Sequence, residues 1–169
     1  MKNLTIIILL VFTSLAQCQI TANIISQTEY DNIEINGIKY IDLKNTLGEQ
    51  NTVETLFGTA NTIEKDDDPI YGGAILYIEF YYDGLDFGFS EGELGGFHIT
   101  NSNSNITIQG ITVTIGDNIS VLGNVVFNTM SDGGKSIVYQ YCDGCNNFIS
   151  IRFNQLTNII TEIIYIEQT

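Results

Sequence analysis

The sequence predicts an α+β protein made of two tandem repeats, each a short helix with a three- or four-stranded antiparallel meander sheet. Three observations support this prediction. Short runs rich in Ile, Phe and Tyr alternate with polar residues between Gly, Asn and Asp, as strands do. An apolar pattern around Asn36-Gly37 recurs around Gln109-Gly110. Each occurrence is followed by the same order of blocks, which are a helix, an aromatic strand and two further strands.

Residues 1–18 have the pattern of a secretory signal peptide. A single Lys precedes an apolar run over residues 4–15, and small residues follow up to Cys18. The run is too short to span a bilayer, which needs roughly 20 apolar residues, and we expect no transmembrane segment. Cleavage after Ala16, cleavage after Cys18 and lipidation of Cys18 are open alternatives, although Gln17 departs from the usual lipoprotein signal. We expect a periplasmic or secreted protein, or an outer-membrane lipoprotein anchored at Cys18.

After an N-terminal segment over residues 19–32, the first repeat is predicted over residues 33–104 and the second over residues 105–169. Each repeat begins with the hairpin pattern, and an Asn-Gly pair such as Asn36-Gly37 tolerates the positive φ of a tight turn.

A short helix is predicted after each hairpin. In the first repeat, Asn51 is the expected N-cap, Glu54 takes the capping-box position and Gly58 ends the helix. In the second repeat, residues 117–127 place three apolar side chains on one helical face, namely Ile119, Leu122 and Val126.

The aromatic strand of the first repeat sets the faces of its sheet. A two-residue loop at Asp83-Gly84 makes one face apolar, because it places Tyr82 opposite Leu85, Phe80 opposite Phe87 and Ile78 opposite Phe89. The other face then carries Tyr77, Glu79, Tyr81, Asp86, Gly88 and Ser90. A third strand is predicted around residues 94–99.

The second repeat needs a different loop. An equally tight loop would mix polar side chains with the apolar ones of residues 149–153. Placing Tyr141 opposite Ile149 keeps the apolar residues together, but it requires an odd-numbered loop over residues 142–148. We therefore expect a wide turn or a bulge there, with a closing strand around residues 160–166.

Composition and charge exclude two classes of protein. With 44% hydrophobic residues the chain can form a core, which a disordered protein cannot. Twenty acidic and six basic residues give a formal charge of −14, which would repel nucleic acid. A surface of this charge attracts cationic partners, although solubility alone also explains it.

Cys142-Asp143-Gly144-Cys145 is the most specific local motif. A redox-active pair of this spacing belongs at a helix N-terminus, where the thiolate is stabilised. Here the pair lies between two predicted strands with turn residues inside it, so we favour a structural disulfide at the end of a hairpin. Redox activity and metal binding are the alternatives, and the second lacks the ligands of a zinc site.

Catalytic signatures are absent from the sequence. His98 is the one histidine, it lies on a predicted strand, and no Gly-x-Ser-x-Gly or His-Glu-x-x-His motif is present. Residues 64–69 are interpreted as a solvated acidic loop. Whether Asp66, Asp67 and Asp68 hold an ion such as Ca²⁺ is left open, since the spacing lacks the EF-hand pattern. We expect no cofactor and no metal.

The polar face of the first sheet is the best candidate for recognition. Tyrosine offers a large contact area at low entropic cost. Tyr77, Glu79, Tyr81 and Asp86 are therefore predicted to bind a partner, with cross-strand packing of exposed aromatic residues as the alternative.

Parts of the chain resemble a known family. Residues 53–60, a Tyr-rich strand, residues 83–89 and residues 91–94 resemble the repeat of β-lactamase-inhibitory-protein-like domains, and the SmpA/OmlA group of outer-membrane assembly lipoproteins is similar. Ala60 departs from the Pro of that pattern, and no functional residue transfers. The resemblance implies a helix-covered antiparallel sheet that binds or assembles with envelope proteins without catalysis.

The sequence thus predicts an exported, non-enzymatic protein that binds another macromolecule, a protein of the envelope or outside the cell, through the Tyr- and acid-lined face. Two alternatives remain. One is a periplasmic enzyme, either a thiol oxidoreductase using Cys142 and Cys145 or a hydrolase using carboxylates. The other is a carbohydrate-binding module.

Overall fold

The computed structural model describes residues 22–68, 74–130 and 133–167, without the side chains of residues 67–68 and 74–76. The predicted signal peptide with Cys18 lies outside these residues. The described chain is a mixed α+β protein, mostly sheet with a few short helices, as the sequence predicts. Within these ranges, the helices are all too short or too polar to cross a membrane.

Nine strands form a large sheet. They are β1 (Asn23–Ile24), β4 (Thr62–Asp68), β5 (Ala74–Tyr82), β6 (Leu85–Ser90), β7 (Glu93–Ile99), β10 (Asn128–Thr129), β11 (Lys135–Gln140), β12 (Phe148–Asn154) and β13 (Ile159–Ile166). Their order is β1-β11-β12-β13-β7-β6-β5-β4, and β10 also pairs with β11. Among the described strands, β1 alone runs parallel to its neighbour.

Two hairpins form a separate small sheet. Its strands are β2 (Glu34–Ile35), β3 (Ile38–Lys39), β8 (Asn105–Ile108) and β9 (Ile111–Thr114), in the order β3-β2-β8-β9. Both turns have positive φ at their two central residues, 51° and 81° at Asn36-Gly37 and 51° and 79° at Gln109-Gly110. These are the primed turns that match the twist of a hairpin, so both predicted hairpins are confirmed.

The helices are shorter or differently placed than predicted. They are α1 (Gln27–Asp31), α2 (Tyr40–Lys44), α3 (Gln50–Phe57) and a 3₁₀ helix (Ile119–Leu122). Asn51 is not the N-cap, because α3 begins two residues earlier than predicted, with Glu49 as its N-cap, while Gly58 ends it as expected. The 3₁₀ helix stops at Gly123 with φ of 72°, so Val126 does not share a helical face with Ile119.

The β5–β6 register is confirmed at every predicted pair. Phe80 lies opposite Phe87 and Tyr82 opposite Leu85. In the second half, residues 141–147 form the expected wide turn, but Tyr139 rather than Tyr141 lies opposite Ile149. The apolar face is the same in both registers because the shift is two residues.

The acidic segment is a strand, not a loop. Residues 62–68 pair antiparallel with β5 along the edge of the large sheet, with Glu64 opposite Glu79 and Asp66 opposite Tyr77. The interpretation of residues 64–69 as a loop is therefore wrong for residues 64–68, while residue 69 lies outside the described residues. Backbone hydrogen bonds from β5 outweigh the low strand propensity of aspartate here.

The two halves of the chain share one sheet instead of forming two. Strand β13 pairs with β7 through Ile163 opposite Ile99 and Tyr165 opposite Phe97. Each half also contributes one hairpin to the small sheet, joined where Ile35 lies opposite Ile106. The expectation of a separate meander sheet in each repeat is therefore corrected, and the duplication itself stays a prediction.

One hydrophobic core lies on a single face of the large sheet. It joins the inner side chains of β5, β6, β7, β11, β12 and β13 to the helices and the small sheet. Phe57 of α3 packs on Phe87 with ring centroids 5.1 Å apart, and Ile106 of the small sheet is fully buried. The opposite face of the sheet, called the outer face below, is therefore available for function.

Candidate functional site

The predicted partner-binding residues lie together on the outer face. Alternation along β5 points Tyr77, Glu79 and Tyr81 to this face, and Asp86 of β6 lies directly opposite Tyr81. Strand pairing then continues each row across the sheet. One row is Glu79, Gly88, Gly96 and Ile166, and the next is Tyr81, Asp86, His98 and Ile164.

Two adjacent glycines leave a gap in the first of these rows. Gly88 and Gly96 lie opposite each other on β6 and β7, and a bulge places Gly95 beside them. Because none of the three has a side chain, the surface sinks to the backbone between β5 and β13. Those two strands are three spacings apart, roughly 14 Å.

The result is a trough of about 380 Å³ on the outer face. Its floor is Gly88, Gly95 and Gly96, one wall is Tyr77 and Glu79, the other wall is Glu162, Ile164 and Ile166, and Asp86 and His98 lie at one end. Tyr81 is not in contact with the trough itself. It lies behind Glu79 and donates a hydrogen bond to Glu79 Oε2 at 2.7 Å.

The outer face is covered over part of β11 and β12. Ser136, Val138, Gln140 and Ser150 point to this side of β11 and β12, and all are buried. The 141–147 turn lies against this side at Gln140, whose Nε2 donates to the carbonyl of Cys145 at 2.6 Å. The predicted recognition residues lie on the open part of the outer face, on β5 and β6.

Glu79 lies between two phenols. Tyr77 and Tyr81 flank it along β5, and Tyr81 donates a hydrogen bond to its carboxylate. Partial burial, reinforced by the carboxylate beside it, raises the pKa of Tyr77 to about 12. The hydrogen bond from Tyr81 to Glu79 raises the pKa of Tyr81. Both phenols are therefore neutral at physiological pH, and Tyr81 holds the carboxylate in place.

Ionisable side chains from four strands meet at the end of the trough. Asp86 lies opposite His98, and burial raises the pKa of this carboxyl while the imidazole opposes the rise. On the other side, His98 Nε2 lies 3.5 Å from Glu162 Oε1. Arg152 on β12 pairs with the other oxygen of Glu162 at 3.0 Å.

His98 and Glu162 are the site residues that the sequence analysis missed. The sequence shows His98 on a strand, but its acidic neighbours come from β6 and β13, which are distant in the chain. The alternation of β13 around Ile160–Ile166 was visible, and it would have placed Glu162 on the outer face. What it could not show is that β13 pairs with β7.

The chemistry of the trough is that of binding a cation or a polar group. Carboxylates accept hydrogen bonds, phenols donate them, and Ile164 and Ile166 offer apolar contact. Among the described residues, no group of three or more His, Cys, Asp or Glu side chains is arranged to hold a metal ion. Asp66 is described on β4, whereas the side chains of Asp67 and Asp68 lie outside the described set.

The cysteine pair lies away from the trough. A disulfide joins Cys142 to Cys145, with Cα atoms 5.5 Å apart, in the turn between β11 and β12. This is a turn and not a helix N-terminus, so nothing in its position stabilises a thiolate. The arrangement is that of a staple at the end of a hairpin.

A second polar cluster joins the N-terminal helices to the end of β13. Tyr40 Oη and Tyr165 Oη are 2.8 Å apart, and Tyr165 donates to Glu167 Oε2 at 2.8 Å. Lys44 and Asn147 donate to the other oxygen of Glu167 at 2.9 and 3.1 Å. The buried phenols are therefore satisfied by a carboxylate that is itself paired with an ammonium group.

Comparison with known proteins gives little beyond a distant likeness in fold. No protein-family model matches the chain, and no curated protein does. One similar solved structure is an extracellular protein containing an SCP domain from Bacillus anthracis str. Ames, with a TM-score of 0.45 and 10% identity over 72% of this chain and 43% of that one. Another is a cysteine-rich secretory protein from Staphylococcus aureus subsp. aureus Mu50, with a TM-score of 0.38 and 12% identity over 70% and 42%.

The chain thus spans less than half the length of either protein. At these TM-scores the likeness says nothing about activity. It does correct the family resemblance: the matching structures are SCP-domain and cysteine-rich secretory proteins, not β-lactamase-inhibitory-protein-like or SmpA/OmlA-like domains, and no family model supports either group. Gly and alternating apolar residues carried that resemblance, and they occur in many antiparallel sheets.

Proposed function

We propose that the chain is an exported, non-enzymatic protein that binds another protein, of the cell envelope or outside the cell, through the trough. The observation that carries the proposal is the glycine floor of Gly88, Gly95 and Gly96 between polar and apolar walls. It opens a pocket in an otherwise continuous sheet face, next to a fixed carboxylate and an exposed tyrosine. Such concave, mixed surfaces are typical of recognition sites.

Export is supported by the signal-peptide pattern of residues 1–18 and by the Cys142–Cys145 disulfide. Disulfides persist in oxidising compartments. The position of this one, in a turn and remote from the trough, favours a staple over the oxidoreductase alternative. Ser90 and His98 both line the trough, but Ser90 lies opposite Glu93 and His98 opposite Asp86, so the two are not placed as a nucleophile and its base.

Site-specific photo-crosslinking tests the proposal. A benzoylphenylalanine placed at Ser90, which is exposed on the outer face beside Tyr77, should crosslink a protein partner in cells. The matched control is Leu156, which is 95% exposed in the β12–β13 turn and far from the trough. Tyr77→Ala should abolish the Ser90 crosslink while the protein remains folded.

Equal crosslinking from Ser90 and Leu156, or none from either, would contradict this function. The carbohydrate alternative is separated by affinity electrophoresis in polysaccharide gels. Retardation that disappears in Tyr77→Ala and persists in a Leu156→Ala control would favour a carbohydrate ligand over a protein.

A further inference from the structure

We propose that the group received by the trough is an arginine side chain of the partner. This inference rests on the proposed function and names the chemistry that the trough selects. Carboxylates of Glu79, Asp86 and Glu162 surround the trough on three different strands. No lysine or arginine lines it within the described residues, and His98 is its one basic group.

Among the described residues, two of the three carboxylates have no lysine or arginine paired with them. Glu162 is paired with Arg152, whereas Glu79 accepts a hydrogen bond from the neutral Tyr81 phenol and Asp86 lies opposite the His98 imidazole. A carboxylate has about four lone-pair positions, so Glu79 keeps acceptor sites free for an incoming donor.

The shape favours guanidinium over ammonium. Tyr77 is 39% exposed, and its ring leans over Gly88, since a Cβ there would lie 3.3 Å from Tyr77 Oη and 3.4 Å from Cε2. A planar guanidinium can stack on this ring and donate two parallel hydrogen bonds to one carboxylate. On the opposite side, Ile164 and Ile166 provide apolar surface for the three methylenes of the arginine stem.

Glycine makes the trough deep enough for this arrangement. An alanine at Gly95 would make an ordinary contact at 3.7 Å with the Gly88 carbonyl, and at Gly88 it would press on the Tyr77 ring. Neither residue has the positive φ that would strain an alanine. Gly88→Ala is therefore a variant that narrows the trough while leaving the strands paired.

The test uses capped tripeptides with the sequence Gly-X-Gly, titrated into the protein and followed by amide chemical shifts. With X as arginine we expect saturable shifts at Gly88, Gly95 and Gly96. With X as citrulline, which keeps the shape and loses the charge, affinity should fall at least tenfold. With X as lysine it should fall severalfold, because the ammonium cannot stack or bind in a bidentate way.

Variants locate the site. Glu79→Gln and Asp86→Asn should each weaken arginine binding about fivefold or more, and Gly88→Ala should weaken arginine and citrulline binding alike. Asp143→Asn, in the exposed disulfide turn, is the charge-matched control and should change nothing. Increasing salt should weaken binding of the arginine peptide and leave that of citrulline unchanged.

Equal affinity for the arginine and citrulline peptides, or shifts confined to residues outside the trough, would overturn the inference. Lysine binding as tight as arginine would also overturn the arginine assignment. The proposed function has a separate test, since a crosslink from Ser90 with no preference for arginine would leave protein binding intact.

Discussion

A Cβ on Gly96 would lie 2.6 Å from the carbonyl oxygen of Tyr165. The two residues belong to β7 and β13, so this close approach lies on the seam where the halves of the chain meet. Gly96 is therefore needed both as part of the trough floor and to let two backbones pair. Its neighbour Gly95 has no such restriction.

Gly96→Ala should lower the free energy of unfolding by about 1–3 kcal/mol, as overpacking does. The added methyl meets a backbone atom, which cannot swing aside as a side chain can. Gly95→Ala is the matched control and should change stability by less than about 0.5 kcal/mol. Urea titrations of both variants measure the difference, and equal midpoints would show that the seam relaxes around the methyl group.

Reducing the Cys142–Cys145 disulfide should cost about 2 kcal/mol or less, because the loop it closes is very short. The reduced protein should keep its far-ultraviolet circular dichroism spectrum. Urea midpoints with and without reductant provide the measurement, and the Cys142→Ser, Cys145→Ser double variant should not respond to reductant. Rapid exchange with glutathione would instead point to a redox role.

Stability should decrease as pH rises above about 10. Burial raises the pKa of Tyr40 and of Tyr165, and the hydrogen bond between their phenols adds to the rise for Tyr165. Unfolded tyrosine ionises near pH 10, so above that pH ionisation stabilises the unfolded state while the buried phenols of the folded state stay protonated. The stabilisation is complete below pH 10 and is lost as pH rises towards the folded pKa.

The Tyr165→Phe variant isolates this effect. Each tyrosine with a raised pKa contributes about 1.4 kcal/mol per pH unit within its window, and Tyr165→Phe should remove one such contribution. Urea titrations at pH 9, 10 and 11 measure the slope. A variant slope as steep as that of the wild type would mean that Tyr165 ionises normally in the folded protein.

Asn36 and Gln109 provide a matched pair of positions for testing the contact between the two hairpins of the small sheet. Both occupy the first turn position with φ of 51°, so an alanine at either position takes the same left-handed conformation, which Asn tolerates better than Gln does. Asn36 also accepts from the Asn105 amide at 2.9 Å and donates to Ser104 Oγ at 3.1 Å. Gln109 donates only to the exposed Glu29.

Asn36→Ala should therefore destabilise by about 1–3 kcal/mol, since it leaves two partly buried partners without their hydrogen bonds. Gln109→Ala should cost clearly less. Thermal unfolding of the two variants compares them directly, and equal losses would mean that the contacts to Ser104 and Asn105 contribute nothing.

The features that could be predicted from the sequence are those set by residues close together in the chain. The two-residue turn at Asp83-Gly84 admits one alignment, so the β5–β6 register and the outer-face placement of Tyr77, Glu79 and Asp86 followed from the sequence. The wide turn before β12 could be predicted because a two-residue loop would have mixed polar side chains with the apolar ones of residues 149–153. In both cases the sequence separation of the paired residues is small.

Long-range pairing accounted for what was missed. Strand β4 is rich in aspartate and forms because β5 offers it a paired edge. The second wall of the trough, with Ile164 and Glu162, depends on β13 lying beside β7, and no turn connects those strands to set their alignment. Half of the candidate site could therefore be predicted, and the half supplied by β13 could not.

The pairing of β7 with β13 makes each half of the chain depend on the other for solubility. Severing the connection near residues 100–104 would leave two long strands with bare backbone edges and apolar inner faces. Either fragment could satisfy its edge by pairing with a second copy of itself. We therefore expect the isolated halves to form exchanged dimers or aggregates, and coexpressed fragments to reassemble into one particle.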